Sequence, residues 1–209
     1  MAAKIQFKKI AVIGAGTMGS GIAAQIANAG LDVLLLDLAA KNENEISPAE
    51  AAIERLIKSD PPQLVSKNVS KLIKTGTIES DFDNLKDYDW IIEAVVERLD
   101  IKKSLYSRLD RIIKGKCIVT SNTSSIPITV LMEEMSVAFQ QRFAITHYFN
   151  PVRYMRLLEL VVGVHTRQDI VDALADFNDE TLGKGVVRCN DTPVSYTHLR
   201  AHETEAEVV

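Results

Sequence analysis

Six residues constrain this chain more than any others: Gly14-Ala15-Gly16-Thr17-Met18-Gly19. Lys8 to Ile13, just before them, is a short β-branched run that reads as a buried strand. Ser20 to Ala29 follows with helix-like spacing, and Gly30 is placed to end that helix as its C-cap. Asp32 to Leu36 reads as a second apolar strand, closed by Asp37. Strand, Gly-x-Gly-x-x-Gly, helix, strand and acidic residue within about 30 residues is the arrangement of a dinucleotide site. Gly14 permits the tight turn, Gly16 lets the backbone approach a pyrophosphate, and Gly19 lets helix and strand pack closely. The helix N-terminus, entered through Thr17, Met18 and Gly19, offers N–H groups and partial positive charge to phosphates. A carboxylate at Asp37 accepts from an adenosine ribose and repels a 2′-phosphate. Leu38-Ala39-Ala40 supplies no arginine to hold one, so NAD is expected rather than NADP. A bare glycine triplet could be only a turn between packed elements; the flanking strand, helix and Asp37 argue for the ligand.

The same region could mislead. Ile10 to Leu31 is free of charge and follows Lys4, Lys8 and Lys9, as a signal peptide or membrane anchor would be. Yet five of the 10 glycines fall inside it, with Thr17, Ser20, Gln25 and Asn28, so its apolar density is too low for a span. No membrane span is expected. With 24 Lys+Arg against 28 Asp+Glu, the net charge of −4 lacks the positive field that nucleic-acid binding needs. At 209 residues and 46% hydrophobic, the chain can bury a core without staples. Cys117 and Cys189 are far apart and form no Cys-x-x-Cys pair; they read as small hydrophobes in a reducing compartment, which points to the cytoplasm.

Further along, Glu50 to Lys58 reads as a helix broken by Pro61-Pro62. Trp90 to Val96 reads as a strand, Leu99 to Ile113 as an amphipathic helix, and Ile118 to Ser121 as another strand. This alternation predicts an α/β fold: a Rossmann-like, doubly wound, mainly parallel sheet with helices on both faces. Three polar clusters fall at carboxyl ends of predicted strands, where such sheets place ligands. Glu97 with Lys102 either faces a cofactor or forms a solvated local ion pair. Ser121-Asn122-Thr123-Ser124-Ser125, before Ile126-Pro127, reads as helix capping together with ligand binding. Third, the apolar run Phe143 to Phe149 delivers His147, Asn150-Pro151 turns the chain, and Leu157 to Val162 returns through Glu159. A histidine beside a carboxylate suits removal of a hydroxyl proton during alcohol oxidation. On periodicity alone, His147 could equally be a core histidine and Glu159 an edge-strand charge.

Taken in order, the glycine turn with Asp37, Glu97 with Lys102, Ser-Asn-Thr-Ser-Ser, and His147-x-x-Asn150-Pro151 with Glu159 resemble the 3-hydroxyacyl-CoA dehydrogenases. The resemblance covers about residues 5 to 193, and the stretch from Asn150 to Glu159 is similar to bacterial long-chain members. It implies NAD-dependent oxidation of an (S)-3-hydroxyacyl-CoA to a 3-ketoacyl-CoA in fatty-acid β-oxidation. His147 resembles the base, Glu159 its partner, and Ser124 the residue that bonds substrate and nicotinamide. Asn150, Glu97 and Lys102 resemble cofactor contacts, with Lys102 meeting the ribose. CoA contacts do not carry over; Arg55 or Lys58 is a guess. The resemblance also implies a homodimer formed through a C-terminal helical domain.

Family members continue Asp-Thr-Pro with Gly-Phe, whereas here Val194-Ser195-Tyr196-Thr197-His198-Leu199 follows. Residues 194–209 look like a translated adapter rather than native chain, with a genuine polar tail as the alternative. The expectation is a domain over residues 1–193, lacking the helical domain, that binds NAD with little turnover. His198 and His202 are spaced i, i+4 but have no third ligand nearby, and no metal site is expected. Two other readings remain: a non-catalytic NAD-binding module, and a dehydrogenase of short 3-hydroxy acids without CoA.

Overall fold

Ile10–Ile13 (β1) is buried at all four positions and lies in the middle of an eight-stranded sheet. The computed structural model describes residues 5–42, 45–113 and 115–191. The expected tail over 194–209, with His198 and His202, lies outside them. After β1 come helix α1 (Thr17–Asn28), strand β2 (Val33–Asp37), helix α2 (Pro48–Lys58), strand β3 (Ile73–Thr77) and a single helical turn α3 (Ile78–Asp81). Strand β4 (Trp90–Glu93), helix α4 (Leu99–Ile112) and strand β5 (Ile118–Ser121) follow, then short helices α5 (Ile128–Met132) and α6 (Val137–Gln140). Strands β6 (Phe143–Tyr148) and β7 (Leu157–Val162), helix α7 (Gln168–Asp176) and strand β8 (Gly185–Asn190) complete the described elements.

The strand order is β3-β2-β1-β4-β5-β6-β7-β8, parallel throughout except where β6 meets β7. Alternation along β1 divides the core. Ile10 and Val12 join Ile22 and Ile26 of α1 and Leu174 of α7 on one face. Ala11 and Ile13 join Leu105 and Leu109 of α4, Leu131 of α5 and Phe139 of α6 on the other. Helices therefore cover both faces, as the alternation predicts. Because β2 and β4 flank β1 on opposite sides, a crevice opens beyond the carboxyl ends of these strands.

One strand end and two strands with no sequence signal depart most from the sequence reading. The strand from Trp90 stops at Glu93 rather than Val96, because the Glu93 carboxylate accepts the N–H of Val95 at 2.7 Å and turns the chain. Strand β3 carries Lys74, Thr75 and Gly76, so no apolar run marks it. Strand β8, mostly exposed, pairs in parallel with β7; Glu159 therefore lies on an interior strand and is not an edge charge.

Candidate active site

The three glycines of the turn are needed for three different reasons. Gly14 has φ +105°, and a Cβ there would lie 2.4 Å from the carbonyl oxygen of Ala94. Gly19 has no room: its Cβ would fall 1.8 Å from the Gly14 carbonyl oxygen, which is how β1 and α1 pack so tightly. Gly16 needs neither, with φ −66° and nothing within 4 Å of an added Cβ. The open space above Gly16 adjoins the first turn of α1, which no side chain caps and which holds no acidic residue. That arrangement fits a pyrophosphate. Thr17 is exposed there, whereas Met18 turns partly into the core.

Asp37 ends β2 beside this turn. Its Oδ2 accepts the Ala15 N–H at 2.5 Å and its Oδ1 accepts the Leu38 N–H at 2.7 Å. These bonds fix the carboxylate at the rim of a cleft of about 830 Å³ that Gly14, Gly16, Leu38 and Val95 also line. Arg55, considered above for CoA, donates instead to the Ala15 carbonyl at 2.9 Å and supports the turn. Lys58 pairs with Glu54 on the exposed face of α2.

A charged network runs under the next strand ends. Glu93 is fully buried and accepts from Lys102 Nζ at 2.7 Å, from Ser121 Oγ at 2.7 Å and from the Tyr106 hydroxyl. Burial, then the charge of Glu93, pushes the Tyr106 phenol well up, so it stays an O–H donor. Lys102 also reaches Glu97 Oε2 at 3.2 Å. Its ammonium is 1% exposed and shared between two carboxylates, so the described geometry does not present it to a ribose. Glu97, 39% exposed, presents the accessible oxygens instead. Burial penalises its charge. The Thr123 hydroxyl, the Lys102 ammonium and the Ser125 hydroxyl together outweigh that and hold the carboxyl below its usual range.

The Ser-Asn-Thr-Ser-Ser run is used differently from the capping expected of it. Ser121 bonds Glu93, Thr123 and Ser125 bond Glu97, and Asn122 Oδ1 accepts the Tyr148 N–H at 2.9 Å. None of these side chains caps α5. The carboxylate of Asp191, 63 residues from Ile128, accepts the Ile128 and Thr129 N–H groups at 3.0 Å each. Ser124 alone in the run has a hydroxyl with no bond to a described residue.

His147 and Glu159 are direct register partners on the antiparallel strands β6 and β7. Their side chains meet, with Nδ1 2.9 Å from Oε2, at 14% and 9% exposure. The Asn122–Tyr148 bond ties the end of β5, and with it Ser124, to the strand that bears His147. Asn150 is exposed at the start of the following turn. Two cations hold that turn. Arg153 donates to the carbonyls of Pro62 and Leu64, and the buried Lys184 donates to those of Val152 and of Met155, the latter at 2.9 Å. Sequence reasoning missed Lys184, since an isolated lysine after Gly183 carries no motif.

Residues 9–192 match the family described as 3-hydroxyacyl-CoA dehydrogenase, NAD binding domain. A probable 3-hydroxyacyl-CoA dehydrogenase of Deinococcus radiodurans is 43% identical over 90% of this chain and 55% of its own length. The mitochondrial hydroxyacyl-coenzyme A dehydrogenase of Sus scrofa is 36% identical over 92% of this chain and 62% of its own. Among solved structures, 3-hydroxybutyryl-CoA dehydrogenase from Escherichia coli superposes with a TM-score of 0.77 at 33% identity, covering 90% of this chain and 39% of that one. The chain thus spans between a third and two thirds of these proteins' lengths. It belongs to the 3-hydroxyacyl-CoA dehydrogenase family, whose NAD-binding domain it forms, and its cofactor is NAD.

Proposed function

We propose that this domain serves oxidation of an (S)-3-hydroxyacyl-CoA to the 3-ketoacyl-CoA in fatty-acid β-oxidation, with His147 and Glu159 as its base. The observation that carries this reading is the 2.9 Å contact between His147 Nδ1 and Glu159 Oε2 at the carboxyl edge of the sheet. With Nδ1 committed to the carboxylate as a donor, Nε2 is the acceptor and takes the substrate's hydroxyl proton. Glu159 then stabilises the imidazolium, as an acidic partner does in hydrolase triads. The glycine turn and Asp37 would hold NAD, which would supply the hydride acceptor for the carbinol carbon. Ser124 contributes its uncommitted hydroxyl to the substrate oxygen and the nicotinamide side. Asn150 and Glu97 contact the dinucleotide, and Lys102 acts through Glu97 as a positioning residue.

The acyl-CoA substrate is the class printed in the relatives' names, and it enters as part of this reading. So do a homodimer formed through the portion of those relatives that this chain does not span, and a cytoplasmic setting, which two free thiols suit. No helix among the described residues is long and apolar enough to cross a membrane.

The test joins this chain to the remaining C-terminal portion of the Deinococcus relative and follows NADH consumption with acetoacetyl-CoA. The chain alone is expected to bind NADH with little turnover, and the joined protein to turn over. His147→Gln or Glu159→Gln should lower kcat by about 10²–10⁴-fold with NADH affinity within about twofold. Undiminished turnover in His147→Gln would overturn the assignment. So would a joined protein that binds NADH but never consumes it. Equal rates with acetoacetate would replace the CoA ester by the free acid.

A further inference from the structure

The adenosine-side cleft has a wall that its glycine turn does not explain. Ile101, Ser104, Leu105 and Arg108 recur at i, i+3, i+4 and i+7, so a single face of α4 lines the cleft that Gly14, Gly16 and Asp37 also line. Opposite stand Ile78 and Leu38, an apolar side chain that is 59% exposed at the cleft mouth. Arg108 Cζ lies 3.9 Å above the ring centroid of Phe82, which is itself buried. No carboxylate among the described residues pairs with that guanidinium. The guanidinium carbon thus sits over an aromatic ring at the rim of a largely apolar slot.

We propose that Arg108 is the adenine anchor of the cofactor cleft, its second face stacking on the base. The inference rests on NAD binding by this domain and concerns a residue for which the glycine motif gives no hint. Two ligand groups could in principle use the cation, the adenine ring and a 2′-phosphate. The apolar walls from Leu38, Ile78 and Ile101 favour a flat heterocycle over a hydrated dianion. The Asp37 carboxylate, fixed in the same cleft, would repel that dianion. Stacking also makes a chemical demand that charge alone does not. A guanidinium is planar and weakly hydrated, while an ammonium is compact and strongly hydrated, so lysine would not substitute.

Binding to the full chain distinguishes these roles without any turnover. NADH and NADPH are titrated by the fluorescence of the bound dihydronicotinamide, and AMP and reduced nicotinamide mononucleotide by displacement of NADH. Arg108→Ala should weaken NADH and AMP by about tenfold, the scale of a partly desolvated cation–π contact. Affinity for reduced nicotinamide mononucleotide should stay within twofold. Arg108→Lys should behave like Arg108→Ala, and Phe82→Leu should give a smaller loss with the same selectivity for AMP. Unchanged AMP affinity in Arg108→Ala, full rescue by lysine, or a loss confined to NADPH would each overturn the proposal. A wild-type chain that fails to bind NADH would instead count against NAD binding itself.

Discussion

Gly16 and Gly19 sit three residues apart in the same turn, yet substitution separates what each is for. An alanine at Gly19 would drive its Cβ into the Gly14 carbonyl 1.8 Å away, and backbone, not a flexible side chain, stands in the way. At Gly16 the same methyl meets open space in a conformation that alanine adopts readily. Gly19→Ala should therefore lower the melting temperature by many degrees or prevent folding. Gly16→Ala should leave it within about 4 °C, since an N-cap glycine is worth only tenths of a kcal/mol to about 1 kcal/mol over alanine. It should nonetheless weaken NADH at least tenfold, because the methyl would fill the open space proposed for the pyrophosphate. Thermal melts with parallel NADH titrations read both effects. At this scale much was legible, because the turn, Asp37 and the spacing from His147 to Glu159 are local patterns. What was not legible is how hydroxyls in a polar run divide their labour. Nothing in Ser121-Asn122-Thr123-Ser124-Ser125 says that four side chains serve Glu93, Glu97 and the Tyr148 amide while Ser124 stays uncommitted. That division depends on side chains 26 to 28 positions away and on a neighbouring strand.

At the scale of elements, the turn after β6 is held by a lysine that has no anionic partner among the described residues. Lys184 is 2% exposed, and burial lowers its amine to about 8. The unfolded chain keeps the ordinary lysine value, so between about 8 and about 10.4 the unfolded state holds a proton that the folded state has released. Stability must then rise with pH across that window, and below it the cost of burying the ammonium is present in full. The neutral amine still has two N–H donors for the carbonyls of Val152 and Met155. Lys184→Met removes the titration and leaves both carbonyls without this donor. The melting temperature of the wild type relative to Lys184→Met should climb from pH 8 to pH 10 and stay flat from pH 6 to pH 7. A flat difference throughout would mean the ammonium is not desolvated in the fold. The elements that escaped the sequence reading failed it for related reasons. Strands β3 and β8 lie at the two edges of the sheet, where one side is left to solvent, so Lys74 and Arg188 are tolerated and the apolar run that betrays β1 or β5 is missing. The cap of α5 was equally hidden, since Asp191 arrives from the far end of the chain.

For the whole molecule, the position of the glycine turn decides how far its ligand is felt. Strand β1 supplies Ile10 and Val12 to one core and Ala11 and Ile13 to the other, so the turn that follows it is anchored in both. No layer of the domain can loosen without disturbing that strand. Trp90, the sole tryptophan, lies fully buried on the adjoining strand and donates to Thr120 at 3.0 Å, so its fluorescence reports the centre of the sheet. Far-UV circular dichroism reports the helices on both faces. NADH at about 100 times its Kd should add about 2.7 kcal/mol to the folded state. For a domain of this size each kcal/mol moves the transition by about 2–4 °C, so both probes should shift upward together by about 5–11 °C. NADPH at the same concentration should shift them by less, the outcome expected of a carboxylate at Asp37 placed to repel a 2′-phosphate. If Trp90 moves with NADH while the dichroism does not, the two helical layers unfold independently of the nucleotide turn, and the sheet is not the common anchor that its strand order makes it. Coincident shifts would mean that the nucleotide turn and the helical layers on both faces unfold as one cooperative unit, joined through a strand only four residues long.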